Sequence, residues 1–392
     1  MAVVKQQRSA GPRLTIGIVG GGQLALMLCE AAEELNLDTI VLCEHEHDPA
    51  ASVATKVLIG AATDFTALQA LAAQVDAVTF DHEQVDLDQI AQLVESGISV
   101  FPGLSTLEAA TDKATMRTLF ADSGFALPAF VIVDQGEDDV TIAHEVDGFA
   151  ASVGLPLMVK PARGGYDGRG VFLEQTIESA TQRVRELSQV GRVLIEAALQ
   201  LEAELAVLVA RDLEGNCVVY PPVVTTQVDG MCREVVVPCA LDDELLGEAQ
   251  LLAVDVAEVL GSVGILAVEL FIVDGMAVIC EVAARPHNSG HWTIEGTTAS
   301  QFENHLRAVA GLSLAEVAVV AEAIVMVNIV GNDLGDDPAD FLDGLDPTGL
   351  HLYGKPARPG RKLGHVTLLG QDVQEVRESA WKIVAQLHGE LG

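Results

Sequence analysis

From Leu14 to Ser96, short apolar runs alternate with amphipathic stretches. Leu14–Val19, Asp38–Cys43 and Ala77–Phe80 read as strands; Gln23–Leu35, Asp64–Ala73 and Leu87–Ser96 read as helices. Such alternation restricts this part of the chain to βαβ units, hence a parallel, right-handed sheet. Ser105 and Glu108 have capping-box spacing and are expected to open a further helix. Past residue 110 the pattern changes. Strands are expected at 130–133, 157–160, 193–197, 203–211, 217–225 and 232–237, with helices at 142–153, 177–188 and from about Asp242. Ile265–Val273 and Ala277–Val282 flank Asp274-Gly275, a strong hairpin turn. The expected class is therefore α/β followed by α+β with antiparallel pairing.

Charge narrows the function classes. The 392 residues include 57 acidic and 22 basic side chains, a net charge of −35. A surface this negative argues against nucleic-acid binding and against docking on anionic lipid. The six cysteines form no C-x-x-C pair, which suits reduced thiols in a cytoplasmic setting. The polar Met1–Pro12 stretch lacks the apolar core of a signal peptide. The most apolar segment, Val263 to Ala284, is interrupted by Glu269, Asp274 and Glu281 and does not read as a membrane span.

Two glycine loops follow apolar strands. In the first, Gly20, Gly22 and Ala25 fit G-x-G-x-x-[G/A], and Glu44 ends the next strand. A nicotinamide dinucleotide site and a bare strand–helix turn both remain open there. In the second, Lys160 leads into Arg163, Gly164, Gly165, Gly168, Arg169 and Gly170. Several glycines let backbone N–H groups fold over phosphates, with the lysine as a point charge; the G-K-[ST] of a Walker loop is missing.

Glu269 and Glu281 lie on the two arms of the expected hairpin. Brought together, two carboxylates repel, and a Mg²⁺ ion completed by phosphates relieves the repulsion. Pairing of each with an arginine such as Arg285 is the alternative. Ala284–Thr293, ARPHNSGHWT, follows directly and packs one arginine, two histidines, an asparagine and a serine into a small-residue loop. Metal ligation by His287 and His291 is a weaker reading of it. Lys355–Lys362, KPARPGRK, holds four of the 22 basic residues between stiffening prolines, as an anion site would.

Taken in order, VGGGQLALML, VKPARGGYDGRG, the Glu202/Glu204 pair, CEVAARPHNSGHWT and KPARPGRKLGH resemble the ATP-grasp superfamily. More narrowly, they resemble the N5-carboxyaminoimidazole ribonucleotide synthetases. The resemblance spans residues 16 to 365. The stretch 1–12 reads as a flexible tail, and the resemblance implies a Rossmann-like domain over 13–110. It further implies a small ATP-grasp subdomain with a phosphate lid over 111–200, a large one with a Mg²⁺ site over 201–320 and a C-terminal domain over 321–392.

The resemblance also implies the reaction partners: ATP, bicarbonate and 5-aminoimidazole ribonucleotide, with Mg²⁺ or Mn²⁺. It implies a homodimer and hand-over of product to the mutase that follows. Lys113, Lys160, the Gly164–Gly170 loop, Glu196 and Glu204 would hold the nucleotide, and Glu269 and Glu281 the metal. Tyr166, Asp167, Arg169, Arg285, His287 and Asn288 would face the ribonucleotide and bicarbonate. Lys355, Arg361 and Lys362 would hold the substrate phosphate, with Glu83 added to that pocket. The chain departs from the family pattern at Lys113 for arginine, Ala206 for a hydroxyl residue and Gln227 for histidine. It departs again at Cys280 for asparagine and Ala284 for proline. Another ATP-grasp ligase, or a nicotinamide oxidoreductase using the first loop, are the competing readings.

Overall fold

A computed structural model describes residues 13–165, 170–332, 337–342 and 348–388. The chain divides into two compact units, residues 1–101 and 102–392.

The first unit carries four parallel strands: β1 Thr15–Val19, β2 Asp38–Cys43, β3 Lys56–Ile59 and β4 Ala77–Phe80, in the order β3-β2-β1-β4. The sequence reading missed β3, a four-residue edge strand without a fully buried side chain and so without an alternation signal. The first glycine loop leaves β1 with Gly20 at φ +103°. The Gly22 amide donates to Asp81 Oδ2 at 2.6 Å, just beyond the end of β4. A Cβ at Gly20 or Gly22 would run into that carboxylate. The anion held at this turn is thus an aspartate of the chain itself. Gly20→Ala combines that collision with a left-handed φ. It should lower stability by about 2 kcal/mol, seen as a lower urea midpoint; an unchanged midpoint would refute the account.

In the second unit, β5 Phe130–Val133, β6 Leu157–Pro161, β7 Phe172–Glu174 and β8 Val193–Ala197 form a small antiparallel sheet, in the order β5-β8-β6-β7. Helices Asp139–Val153 and Ile177–Ser188 cover it, burying Ile142, Val146 and Val184 against Leu157, Val159 and Ile195. Each such side chain contributes roughly 1.5–3 kcal/mol by leaving water.

The large sheet contains β9 Ala203–Arg211, β10 Cys217–Val219, β11 Val223–Val228, β12 Met231–Val237, β13 Gly264–Val273, β14 Met276–Ala283, β15 Ala323–Val330, β16 Leu350–Leu352 and β17 Lys362–Gly370. Its order is β14-β13-β9-β11-β12-β15-β17-β16, with β10 also on β9. The strand expected over 217–225 is split, because Pro221 and Pro222 have no N–H for the ladder. The helix expected from the Ser105/Glu108 pattern is Leu104–Thr111, but its N-cap is Gly103, with no side-chain cap. Ser105 lies inside it and donates to the Leu260 carbonyl. Aspartates do cap elsewhere: Asp64, Asp86, Asp112, Asp138, Asp242 and Asp372 each accept backbone N–H groups at a helix start. All six cysteines are free thiols. Among the described residues, no helix is long and apolar enough to cross a membrane.

Candidate active site

The carboxylate pair depends on a β-bulge. A plain hairpin turned at Asp274-Gly275 pairs Phe271 with Val278 and Leu270 with Ile279. Continued without interruption, it would set Cys280 opposite Glu269 and send Glu281 to the other face. Instead the register shifts after Leu270, and Glu269 pairs with Glu281. Core packing records the same shift. Ile279 and Val282, three apart, both lie in the core with Val268 and Leu270. Ala283 packs on the opposite face, with Ala267 and Leu208. Glu204 on β9 pairs with Phe271 and so falls on the face of Glu269, where Ala206 is its direct partner.

The electrostatics follow. Burial, then the charges of Glu281 and Glu204, push the Glu269 pKa well above the usual carboxylate range. Burial also raises that of Glu204. His287 Nε2 lies 3.2 Å from Glu269 Oε1. Its Nδ1 accepts from the Ser289 amide at 3.4 Å and faces the Ser289 hydroxyl at 2.9 Å. The ring proton therefore sits on Nε2 and is donated to Glu269. Burial first, then Arg285 and Lys362, hold the His287 pKa well below its ordinary value.

The polar loop is tightly fastened. Gln301 accepts from the His287 amide and donates to the His287 carbonyl, both at 2.8 Å. The Asn288 side chain exchanges two hydrogen bonds with Asn328, at 2.9 and 2.7 Å. Its amide is thereby turned onto β15, which is a positioning contact. Arg285 donates to the Pro286 carbonyl at 3.1 Å. Near the end of the loop, His291 stacks on His365 with centroids 4.8 Å apart, and His365 on His351 at 4.5 Å.

On the small sheet, Lys160 Nζ meets Glu196 Oε2, and Arg117 Nε meets Glu196 Oε1, both at 2.5 Å. Burial works against the Glu196 anion, but the charges of Arg117 and Lys160 outweigh it and lower its pKa. Glu196 thus serves as an internal counter-ion. Lys113 opens the helix Lys113–Asp122, and its amide donates to the Ala162 carbonyl at the root of the second glycine loop. Asp112 caps that helix and accepts from Arg163 and Arg192, at 2.7 and 2.8 Å. Gly164, Gly165 and Gly170 all have positive φ. Tyr166, Asp167, Gly168 and Arg169 lie outside the described residues.

Lys362 begins β17, and its charge acts on both Glu269 and His287. Lys355 lies 5.7 Å from the Tyr353 ring centroid, and Arg361 donates to the Pro356 carbonyl at 3.2 Å. Glu83 belongs to the first unit, just past β4. The sequence reading missed Asp112, Arg117, Arg192 and Asn328. An aspartate one residue ahead of a helix was the legible sign of the first.

Among known proteins, three family models match in chain order. They are the ribonucleotide synthetase preATP-grasp domain over 14–111, the ATP-grasp domain over 118–302 and the phosphoribosylaminoimidazole carboxylase C-terminal domain over 324–379. The N5-carboxyaminoimidazole ribonucleotide synthase of Mycobacterium tuberculosis is 43% identical over 93% of this chain and 86% of its own length. The chain belongs to this synthase family. The synthetase of Thermus thermophilus is 34% identical and superimposes with a TM-score of 0.83, over 96% of this chain and 99% of its own. The Aspergillus clavatus synthase, solved with ADP and 5-aminoimidazole ribonucleotide, gives 0.84 at 27% identity, over 96% and 98%. Membership of the synthase family overturns the oxidoreductase reading of the first loop, where Asp81 already fills the turn.

Buried histidines make the fold acid-sensitive. Burial drives the His305 pKa down to about 3 and those of His291 and His365 well below 6.5. Groups depressed in the folded state contribute stability above their unfolded pKa and lose it as pH falls. Each should remove up to about 1.4 kcal/mol per pH unit below roughly 6.5. Urea unfolding at pH 7 and pH 5.5 tests this, with no difference as the contrary result.

Proposed function

We propose that this chain joins 5-aminoimidazole ribonucleotide to bicarbonate, giving N5-carboxyaminoimidazole ribonucleotide, with ATP converted to ADP and phosphate. The observation that carries the reading is the bulged Glu269–Glu281 pair, beside His287 and Arg285, on a chain of this family. Hard, mutually repelling oxygens suit Mg²⁺ or Mn²⁺. Among the described residues no cluster of three or more candidate ligands forms. Two carboxylates completed by substrate phosphates is the usual Mg²⁺ arrangement. When bound, the ion would neutralise charge on the phosphates during transfer.

The remaining roles fall to the chain. Lys160 would exchange Glu196 for the ATP phosphates, aided by Lys113, and Glu204 would take the ribose hydroxyls. A bicarbonate oxygen attacks the γ-phosphorus and displaces ADP, giving carboxyphosphate. The exocyclic amine of the ribonucleotide then takes the carboxyl group, directly or through released CO₂, as phosphate leaves and the amine gives up its proton. Arg285 would hold bicarbonate, with His287 kept neutral and oriented beside it. Lys355, Arg361 and Lys362 would hold the substrate phosphate. Carboxyphosphate hydrolyses readily, so the site must keep water away from it. The resemblance also supports a cytoplasmic homodimer that passes its product to the following mutase.

ADP release with Mg·ATP and bicarbonate, measured with and without 5-aminoimidazole ribonucleotide, tests the reading. Strong stimulation is expected. No stimulation would overturn it.

A further inference from the structure

Among the described residues, Arg117 is the one lysine or arginine whose side chain is buried, at 1% exposed. A guanidinium stays charged at any working pH, so burying it costs several kcal/mol unless good partners compensate. Its partners belong to two different parts of the site. Nε meets Glu196 Oε1 at 2.5 Å, on the carboxylate that also holds Lys160. Nη2 donates to the Cys280 carbonyl at 2.7 Å. Cys280 is the residue that the hairpin ladder skips, and that skip brings Glu281 opposite Glu269. Backbone groups at a bulge leave the regular ladder and need other partners. In the unbulged register Glu281 would point toward the core side of Val268 and Leu270.

We propose that Arg117 is a positioning residue that holds the Cys280 bulge in register and ties the metal carboxylates to the counter-ion of Lys160. The inference rests on the reading of Glu269 and Glu281 as metal ligands. Its rigid planar fork suits two acceptors at once, one on each sheet. A lysine could still neutralise Glu196 but has no second fixed donor for the carbonyl.

Mn²⁺ binding to the full chain at saturating ADP, followed by electron paramagnetic resonance, tests the proposal. Wild type should bind and Glu281→Gln should not. Arg117→Lys should fold, retain ADP affinity close to wild type and bind Mn²⁺ about tenfold more weakly or worse, the scale of a lost contact behind a metal ligand. A general loss of structure would weaken both ligands together. Wild-type Mn²⁺ affinity in Arg117→Lys, with Glu281→Gln still deficient, overturns the proposal. Wild-type affinity in Glu281→Gln overturns the metal reading and this inference with it. If Arg117→Lys does not fold, Arg117→Met leaves Glu196 paired with Lys160, one charge of each sign. It should show the same Mn²⁺ deficit, and its absence overturns the proposal.

Discussion

Glu281→Gln is expected to lower ribonucleotide-stimulated ADP release about 10³-fold, or ~4 kcal/mol of transition-state stabilisation. The change is isosteric and removes only charge. Glu281 is exposed on β14, so no core packing is lost. Its charge is also one reason why Glu269 resists ionising. Removing it relieves repulsion, and the metal-free variant should melt at or above the wild-type temperature. Lost turnover without lost stability separates a ligand from a scaffold residue. Activity within tenfold of wild type would remove Glu281 from the metal site.

Why this pair could be read from sequence, and its geometry could not, is a matter of parity. Side chains alternate faces along a strand, so one extra residue reverses every later assignment. The Asp274-Gly275 turn marked the hairpin, and two glutamates on its arms suggested a pair. Nothing in the local composition marked Cys280 as the residue to be skipped. The bulge became visible only in the pairing of Glu269 with Glu281 and in the shared core of Ile279 and Val282.

Arg117 was hidden for a related reason. It occupies the buried face of Lys113–Asp122, between Met116 and Phe120, and a charged residue there breaks the apolar period by which helices are found. The parallel sheet, the Asp274-Gly275 hairpin and the glycine-rich loops carried local signals. Strand β15, with its run of buried apolar residues and Asn328, had no alternation to distinguish it. The Asn288–Asn328 pair spans forty positions, a separation no local pattern reports.

Arg285→Lys should reduce ribonucleotide-stimulated ADP release about 10²-fold at saturating ATP, while leaving the KM for ATP near wild type. The substitution keeps the charge and removes the fork. Electrostatics around Glu269 and His287 should therefore change little, since both respond to the Arg285 charge. What is lost is planar recognition of two oxygens at once, a geometry that a guanidinium offers to bicarbonate and an ammonium does not. His287 remains fixed by Gln301, Ser289 and Glu269, so the loop should not rearrange to compensate. The KM for bicarbonate should rise, and the ATP that is consumed should show weaker dependence on the ribonucleotide. Near-wild-type turnover with an unchanged bicarbonate KM would mean that charge alone suffices at this position. Bicarbonate would then have to be held by other groups.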